Sequence, residues 1–336
     1  TILITGVAGF IGFSLCKKLT SAEDNIIGID NLNSYYDVNL KVSRVKELEK
    51  NNKKFTFHKI DIEDKKKIEE IFNKHKPDVV FNLAAQAGVR YSIEKPREFI
   101  STNIQGFINI LEACKTHNIK HLIYASSSSV YGGNIQLPYS ENNTVDHPVS
   151  VYAASKKTNE LLAHTYSHLY ALPCTGLRFF TVYGPWGRPD MSYFLFTKSI
   201  LAGKKINIFN NGDMARDFTY IDDICESLVR VMDKIPSGEK DFDMMNPKIH
   251  SSWAPHKVFN IGNSSSINLM EFIKIIEDEI GEKALKNFLP MQPGDVKLTL
   301  ADTSLLENWI GYKPSTNIKD GIKEFVKWYK IFYKIK

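Results

Sequence analysis

Short runs of unbroken apolar residues alternate with longer amphipathic stretches through the first half of the chain. The apolar runs cover residues 2–5, 26–30, 55–60, 79–83, 121–126 and 174–180. Helix-length stretches fall between most of them, at 10–19, 65–74, 96–117 and 151–170. A strand without a polar face is buried on both sides. The alternation therefore predicts an α/β fold, a doubly wound parallel sheet with helices on either face. Beyond about residue 180 the rhythm breaks. Turn signals at Gly184-Pro185, Gly203, Asn211-Gly212 and Pro293-Gly294 interrupt shorter elements, and a helical pattern returns at 318–331. This predicts two tightly packed parts, 1–180 and a smaller mixed α/β domain at 181–336, with elements partly interleaved.

The turn after the first predicted strand carries candidate chemistry. It reads Gly6-Val7-Ala8-Gly9-Phe10-Ile11-Gly12 and opens a helix. Glycine lets the backbone approach a diphosphate, while a helix start offers free N–H groups and the positive end of its dipole. In this strand–helix setting the triplet points to a dinucleotide and to a Rossmann-type domain. The second apolar run ends on Asp30, followed by Asn31 and Asn33, with no arginine directly after it. A carboxylate there accepts from both ribose hydroxyls and repels a 2′-phosphate, which favours NAD over NADP. The competing reading is an aspartate that only caps a turn. Asp61-Ile62, past the third run, falls near the adenine, with a helix N-cap at Asp61 as the alternative. Leu83-Ala84-Ala85 closes the fourth run with small side chains that leave room for the cofactor.

Tyr152 and Lys156 stand four apart at the start of a predicted helix, on one face. A free phenol is too weakly acidic to serve as a base at neutral pH, and a nearby ammonium favours its ionised form. The fifth run ends in Ser126-Ser127-Ser128-Ser129, whose hydroxyls can hold a substrate oxygen while Tyr152 takes its proton. Such a pair alone is common on helix surfaces; the cofactor turn and the serine run give it meaning.

Bulk properties narrow the class. Of the 336 residues 43% are apolar and 24% charged, an ordinary globular balance that excludes extended disorder. The net charge of +5 is spread out, and the lysine runs at 65–67 and 327–336 alternate with apolar residues at helical spacing. These are solvated helix faces, so neither nucleic acid nor membrane is an expected partner. Cys16, Cys114, Cys174 and Cys225 lie far apart in apolar contexts, which predicts buried thiols and a reducing, cytoplasmic setting. No apolar run approaches a membrane span, and with a strand pattern at the opening residues no signal peptide is expected. His164 and His168 lack a third ligand at suitable spacing, so no metal is expected. Trp253 falls in an expected surface loop, a candidate to lie over the substrate; Trp186 and Tyr183 are candidates for packing.

Longer stretches carry a resemblance. They are Asp30-Asn31-Leu32-Asn33 with Tyr35 to Leu40, and Leu83 to Ser92. Phe179 to Met191, Ala215-Arg216-Asp217-Phe218 and Gln292-Pro293-Gly294-Asp295 complete the set. The chain resembles the extended short-chain dehydrogenase/reductases over essentially its full length. It is similar to the UDP-galactose 4-epimerase group, and most of all to the UDP-glucuronate 4-epimerases. The resemblance implies that Gly6, Gly9, Gly12, Asp30, Asp61, Tyr152 and Lys156 touch NAD, with Asn103 supporting the lysine region. It places the catalytic hydroxyl at Ser127, sugar contacts at Thr181, and Arg188 near a sugar carboxylate. Arg216 and Asp295 would hold the uridine diphosphate and the 205–209 strand, with Asn207, would border the uracil. Arg90 is a further cation, near the diphosphate or structural. Gln292 departs from the galactose-type arginine and leaves Arg216 with more of the diphosphate charge. The resemblance also implies a homodimer packed through helices 96–117 and 151–170, although Ile100, Ile104, Phe107, Ile108 and Leu111 could equally face the sheet.

Related enzymes that eliminate or decarboxylate carry acids just before the Val-Tyr-Gly that here is Val130-Tyr131-Gly132. This chain has Ser128 and Ser129 there, which favours epimerisation at C4 through a 4-keto sugar. The expected substrate is UDP-glucuronate, its carboxylate held by Ser128, Ser129 and Thr181 hydroxyls with Arg188 nearby. Other UDP-hexoses, N-acetylhexosamines or their uronic acids remain open as substrates. Lyase chemistry, and an NAD-binding protein without turnover, are weaker readings.

Overall fold

The computed structural model describes residues 1–19 and 24–335; Lys336, last of the C-terminal lysines, lies outside them. Six strands follow the apolar rhythm: β1 (Ile2–Thr5), β2 (Ile26–Asp30), β3 (Phe55–Lys59), β4 (Val79–Asn82), β5 (His121–Ser127) and β6 (Cys174–Phe179). After them come β7 (Thr181–Tyr183), β8 (Lys205–Ile208), β9 (Ala215–Tyr220), β10 (His256–Ile261), β11 (Ser266–Asn268) and β12 (Leu285–Phe288). The main sheet is parallel, in the order β3-β2-β1-β4-β5-β6-β10, so one strand from the second half completes it. This is the Rossmann-type α/β fold. Strand order reverses between β1 and β4, and a crevice opens at their carboxyl ends. Thr5 closes its base: its hydroxyl donates to Asn82 Oδ1 at 2.8 Å and accepts from the Ala84 N–H at 3.0 Å.

Helices cover both faces. On one side Phe10–Leu19 packs against Ile221–Met232, whose Ile221, Ile224, Cys225, Leu228 and Val231 are all buried. Their spacing is the apolar stripe of a core-facing helix, and each large side chain so buried contributes about 1.5–3 kcal/mol. On the other side lie Lys65–His75, Phe107–Thr116 and Val151–Tyr170, packed on Leu3, Val80 and Leu122. A third cluster, built from Phe194, Phe272 and Phe325, holds the three-stranded β11-β9-β7 sheet and the β12-β8 pair beside the crevice. Among the described residues no helix is long and apolar enough to cross a membrane.

Two differences from the sequence reading have local causes. The stretch expected as one helix at 96–117 is α-helical at Pro96–Phe99, π-helical at Ile100–Gly106 and α-helical again at Phe107–Thr116. Within the widened turn Asn103 bonds outward to Gln86 and Ser155, and its own carbonyl accepts from Asn159 at 2.6 Å. A helix at Val38–Asn51 was not expected. Lys41 and Arg44 are buried in it beside Leu40, Val45 and Leu48, so charges interrupt its apolar stripe.

Candidate active site

A cavity of about 1000 Å³ runs from the glycine turn, along the ends of β4 and β5, to β8 and the segment around Asp295. At one end Gly6 has φ +70°, and a Cβ on it would stand 2.7 Å from the Ala84 nitrogen; one on Gly12 would stand 2.3 Å from the Gly6 carbonyl. Only bare backbone fits this cradle, the shape a dinucleotide diphosphate requires. Gly9, Phe10, Ile11, Asn31, Asn33, Ile62, Leu83, Ala84 and Ala85 line the same end. Asp30 faces the cavity and also caps the local turn: its carboxylate accepts from the Ala8 N–H at 3.1 Å and the Leu32 N–H at 2.8 Å. Burial pushes this carboxyl above its ordinary range, partly offset by those bonds and by Lys41.

One alternative is corrected here, and one supporting residue stands outside the cavity lining. Asp61 lines the cavity and accepts from Asn31 at 2.7 Å, but it is not the cap of the following helix. That cap is Asp64, which accepts from the Lys67 N–H at 3.1 Å. Asn103 is buried and spends its amide on Gln86 and Ser155, one layer behind the cavity wall. It braces the site without facing it.

In the middle, Ser150 caps the helix Val151–Tyr170 by accepting from the Ala153 N–H at 3.1 Å, which fixes Tyr152 in the first turn. Lys156, buried one turn on, places Nζ 6.0 Å from the Tyr152 ring centre and donates to the Ala125 carbonyl at 2.8 Å. Ser127, the last residue of β5, lines the same wall as the phenol and accepts from the Ser129 N–H at 3.2 Å. The electrostatics differ from the sequence reading. Burial pushes the Tyr152 phenol up, while the Ser127 hydroxyl and the charge of Arg188 pull it down. Burial holds Lys156 down at about 8, which leaves it largely charged at neutral pH with one N–H on a carbonyl, and Arg188 adds a second positive charge that acts on the phenol.

Ser128, Ser129, Thr181 and Arg188 line the wall around Tyr152. Arg188 pairs with Asp190 through two prongs, Nε to Oδ1 at 3.1 Å and Nη2 to Oδ2 at 2.5 Å. At the far end stand Asn207, Arg216, Arg90 and Asp295. Arg90 contacts Asp295 at 2.8 Å and lies 4.8 Å from the Phe209 ring centre; Arg216 is steadied by the Ala215 and Lys297 carbonyls. The cavity lining thus brings together the glycine turn, Asp30, Asp61, Ser127, Tyr152, Lys156, Thr181, Arg188, Arg216 and Asp295, with Asn103 behind it.

Four residues escaped the sequence reading. Tyr35 and Asp190 line the cavity and touch, hydroxyl to carboxylate, at 3.2 Å. Lys41 lines it beside Asn33, donating to that residue's carbonyl at 2.7 Å. Arg44, fully buried, donates to the Ala8 carbonyl of the glycine turn at 2.8 Å and to the Trp186 and Gly187 carbonyls at 2.5 and 3.2 Å. Tyr35 and Asp190 belong to the quoted 30–40 and 179–191 stretches, whose tyrosines and charges lie outside the usual cofactor motif, whereas Lys41 and Arg44 lie just past the first stretch and carried no signal of their own. Trp253, by contrast, packs on the rings of His164 and His168 and is not part of the cavity lining. Those histidines bond to Ser252 and Trp253, and the described residues hold no group of three metal-ligating side chains. Trp186 packs against Phe13 and Trp328, as expected of a packing residue.

Comparison with known proteins agrees with this geometry. Residues 3–325 match the family model described as GDP-mannose 4,6 dehydratase. Protein CapI of Staphylococcus aureus is 54% identical over 333 residues, covering 99% of both chains. UDP-glucuronate 4-epimerase 4 of Arabidopsis thaliana is 46% identical over 338 residues, covering 99% of this chain and 76% of that one. Among solved structures, UDP-glucuronic acid 4-epimerase from Bacillus cereus in complex with UDP-glucuronic acid and NAD is similar at TM-score 0.88 and 34% identity, over 99% of each chain.

Proposed function

The chain belongs to the GDP-mannose 4,6 dehydratase family, and from that premise we propose that it is an NAD-dependent 4-epimerase interconverting UDP-glucuronate and UDP-galacturonate. The first part, 1–180, serves the cofactor and 181–336 serves the sugar nucleotide. The glycine turn, Asp30, Asn31, Asn33, Asp61 and the Leu83–Ala85 floor hold NAD. Bound there, NAD would supply reversible hydride chemistry at C4 of the sugar. Tyr152 removes the proton of the 4-hydroxyl and returns it. Ser127 holds the reacting oxygen against the phenol, and Lys156 keeps a positive charge beneath it. Arg216, Asn207 and Asp295, with Arg90, anchor the UDP while the sugar turns.

One observation carries the choice of epimerisation: the wall next to Tyr152 offers hydroxyls and no free acid. Ser128 and Ser129 occupy the two positions before Val130, and Asp190, the carboxylate whose charge reaches the phenol, is engaged by the Tyr35 hydroxyl as well as by Arg188. Elimination would need a carboxyl free to relay a proton. The hydroxyls of Ser128, Ser129 and Thr181 instead suit the C5 carboxylate, and holding it restrains loss of CO2 from the β-keto acid. Incubation of the purified protein with UDP-glucuronate and resolution of the products tests this. UDP-galacturonate is expected; UDP-pentose as the main product, or no uronate product, sinks it.

We also place the enzyme in the cytoplasm as a homodimer. Its four cysteines are buried thiols, which suits a reducing compartment. Leu161 and Leu169, both 58% exposed, form an outer stripe on the catalytic helix, and Ile100 is 50% exposed on the neighbouring one. Phe107 and Leu111 belong to the core, so they leave those three for a partner.

A further inference from the structure

The wall beside Tyr152 holds a charged group that the mechanism leaves without a task. Both prongs of Arg188 lie on Asp190, and the Tyr35 hydroxyl donates to the same Oδ2 at 3.2 Å. All three line the cavity with Ser127, Ser128 and Thr181. The chain fixes this geometry from behind: the Tyr193 hydroxyl accepts from the Arg188 backbone N–H at 3.1 Å, and Arg44 grips the two preceding carbonyls. An arginine paired in both directions presents no net charge to an arriving carboxylate.

We propose that Asp190 is a positioning residue that competes with the substrate's C5 carboxylate for Arg188, so that a uronate is gripped reversibly and its 4-keto form can turn over. This rests on the uronate reading above. Exchanging one bidentate carboxylate for another of the same kind is close to balanced. A free Arg188 would hold the sugar too firmly for it to turn. An Asp190 stripped of Arg188 would be a buried charge without compensation, were it not for Tyr35, whose hydroxyl stays on Oδ2 and keeps the released state accessible. A neutral hexose gives Arg188 no reason to leave, so the device acts on uronates alone.

The test compares the wild type with Asp190→Asn and Tyr35→Phe, using UDP-glucuronate as substrate and UDP alone as competitor. Asp190→Asn frees Arg188 for the sugar, so KM for UDP-glucuronate and kcat both fall, each about tenfold, while inhibition by UDP stays as in the wild type. The acid limb of kcat/KM moves to lower pH, because an unpaired guanidinium favours phenolate at Tyr152; the other groups facing that phenol, Ser127 and Lys156, are untouched. Tyr35→Phe destabilises the released Asp190 and shifts KM the opposite way, upward about threefold. An Asp190→Asn enzyme with unchanged or raised KM overturns the proposal, as do two variants that shift KM in the same direction. Should Asp190→Asn fail to fold, Tyr35→Phe decides: a raised KM supports the competition, and an unchanged or lowered one rejects it. A wild type that makes no uronate product defeats the function itself, and this proposal with it.

Discussion

Single side chains in this protein are set by burial first and by charge second. Tyr152 shows the order plainly, since burial raises its phenol despite Ser127 and Arg188. Its base form is therefore scarce at low pH, and kcat/KM should climb as pH rises until the phenol ionises. Tyr152→Phe should lose roughly a thousandfold in turnover while UDP binding, read by calorimetry, persists. Glu141 carries a different consequence. It is fully buried, its Oε1 accepts from the Asn260 N–H at 2.7 Å, its other oxygen has no partner, and its carboxyl is pushed from 4.5 to about 7. Because the folded state holds this proton more tightly, its contribution is full below pH 4.5 and fades as pH rises to 7. The loss amounts to roughly 3 kcal/mol. Urea unfolding at pH 5 and pH 8 should show it, and Glu141→Gln should flatten the difference; an unaltered slope would assign the pH dependence elsewhere.

At the scale of elements, the π-helical turn Ile100–Gly106 is a brace. It lets Asn103 join the loop at Gln86 to the catalytic helix at Ser155 and Asn159. Asn103→Ala leaves those buried groups short of partners and should lower stability by about 1–3 kcal/mol, seen as an earlier denaturant midpoint with the m-value kept. The sequence could not show this, because the π turn, ISTNIQG, has only Ile100 and Ile104 as large apolar side chains, too few to mark a change of period. It showed β1, β2 and the helices Phe10–Leu19 and Val151–Tyr170 to the residue, since each has an uninterrupted stripe and, for the helices, a clear start at the glycine turn or Ser150. It missed Val38–Asn51, where Lys41 and Arg44 are buried in place of leucines. The Tyr152–Lys156 pair and the glycine cradle were readable because their spacing is local. Tyr35 and Asp190 meet across 155 residues, and only the fold brings them together.

For the whole molecule, the proposed dimer rests on the exposed stripe of the helix Val151–Tyr170. If Leu161, Leu169 and Ile100 face a second copy, then Leu161→Glu combined with Leu169→Glu should convert a dimer to a monomer in sedimentation velocity at micromolar concentration. A wild type that already sediments as a monomer would remove that role. Neither leucine touches the cavity, so the charge change acts on association alone.

The grip of Arg44 on both sides of the crevice bears on how such enzymes can be recombined. Its guanidinium ties the Ala8 carbonyl, from the cofactor turn, to carbonyls at 186 and 187 in the other half. The two halves are therefore not interchangeable cassettes. A chimera that grafts a foreign 181–336 segment must present its carbonyls at the same spots, or a buried cation is stranded beside the cofactor turn. New sugar preferences in this architecture are more readily gained by altering wall side chains than by shuffling halves.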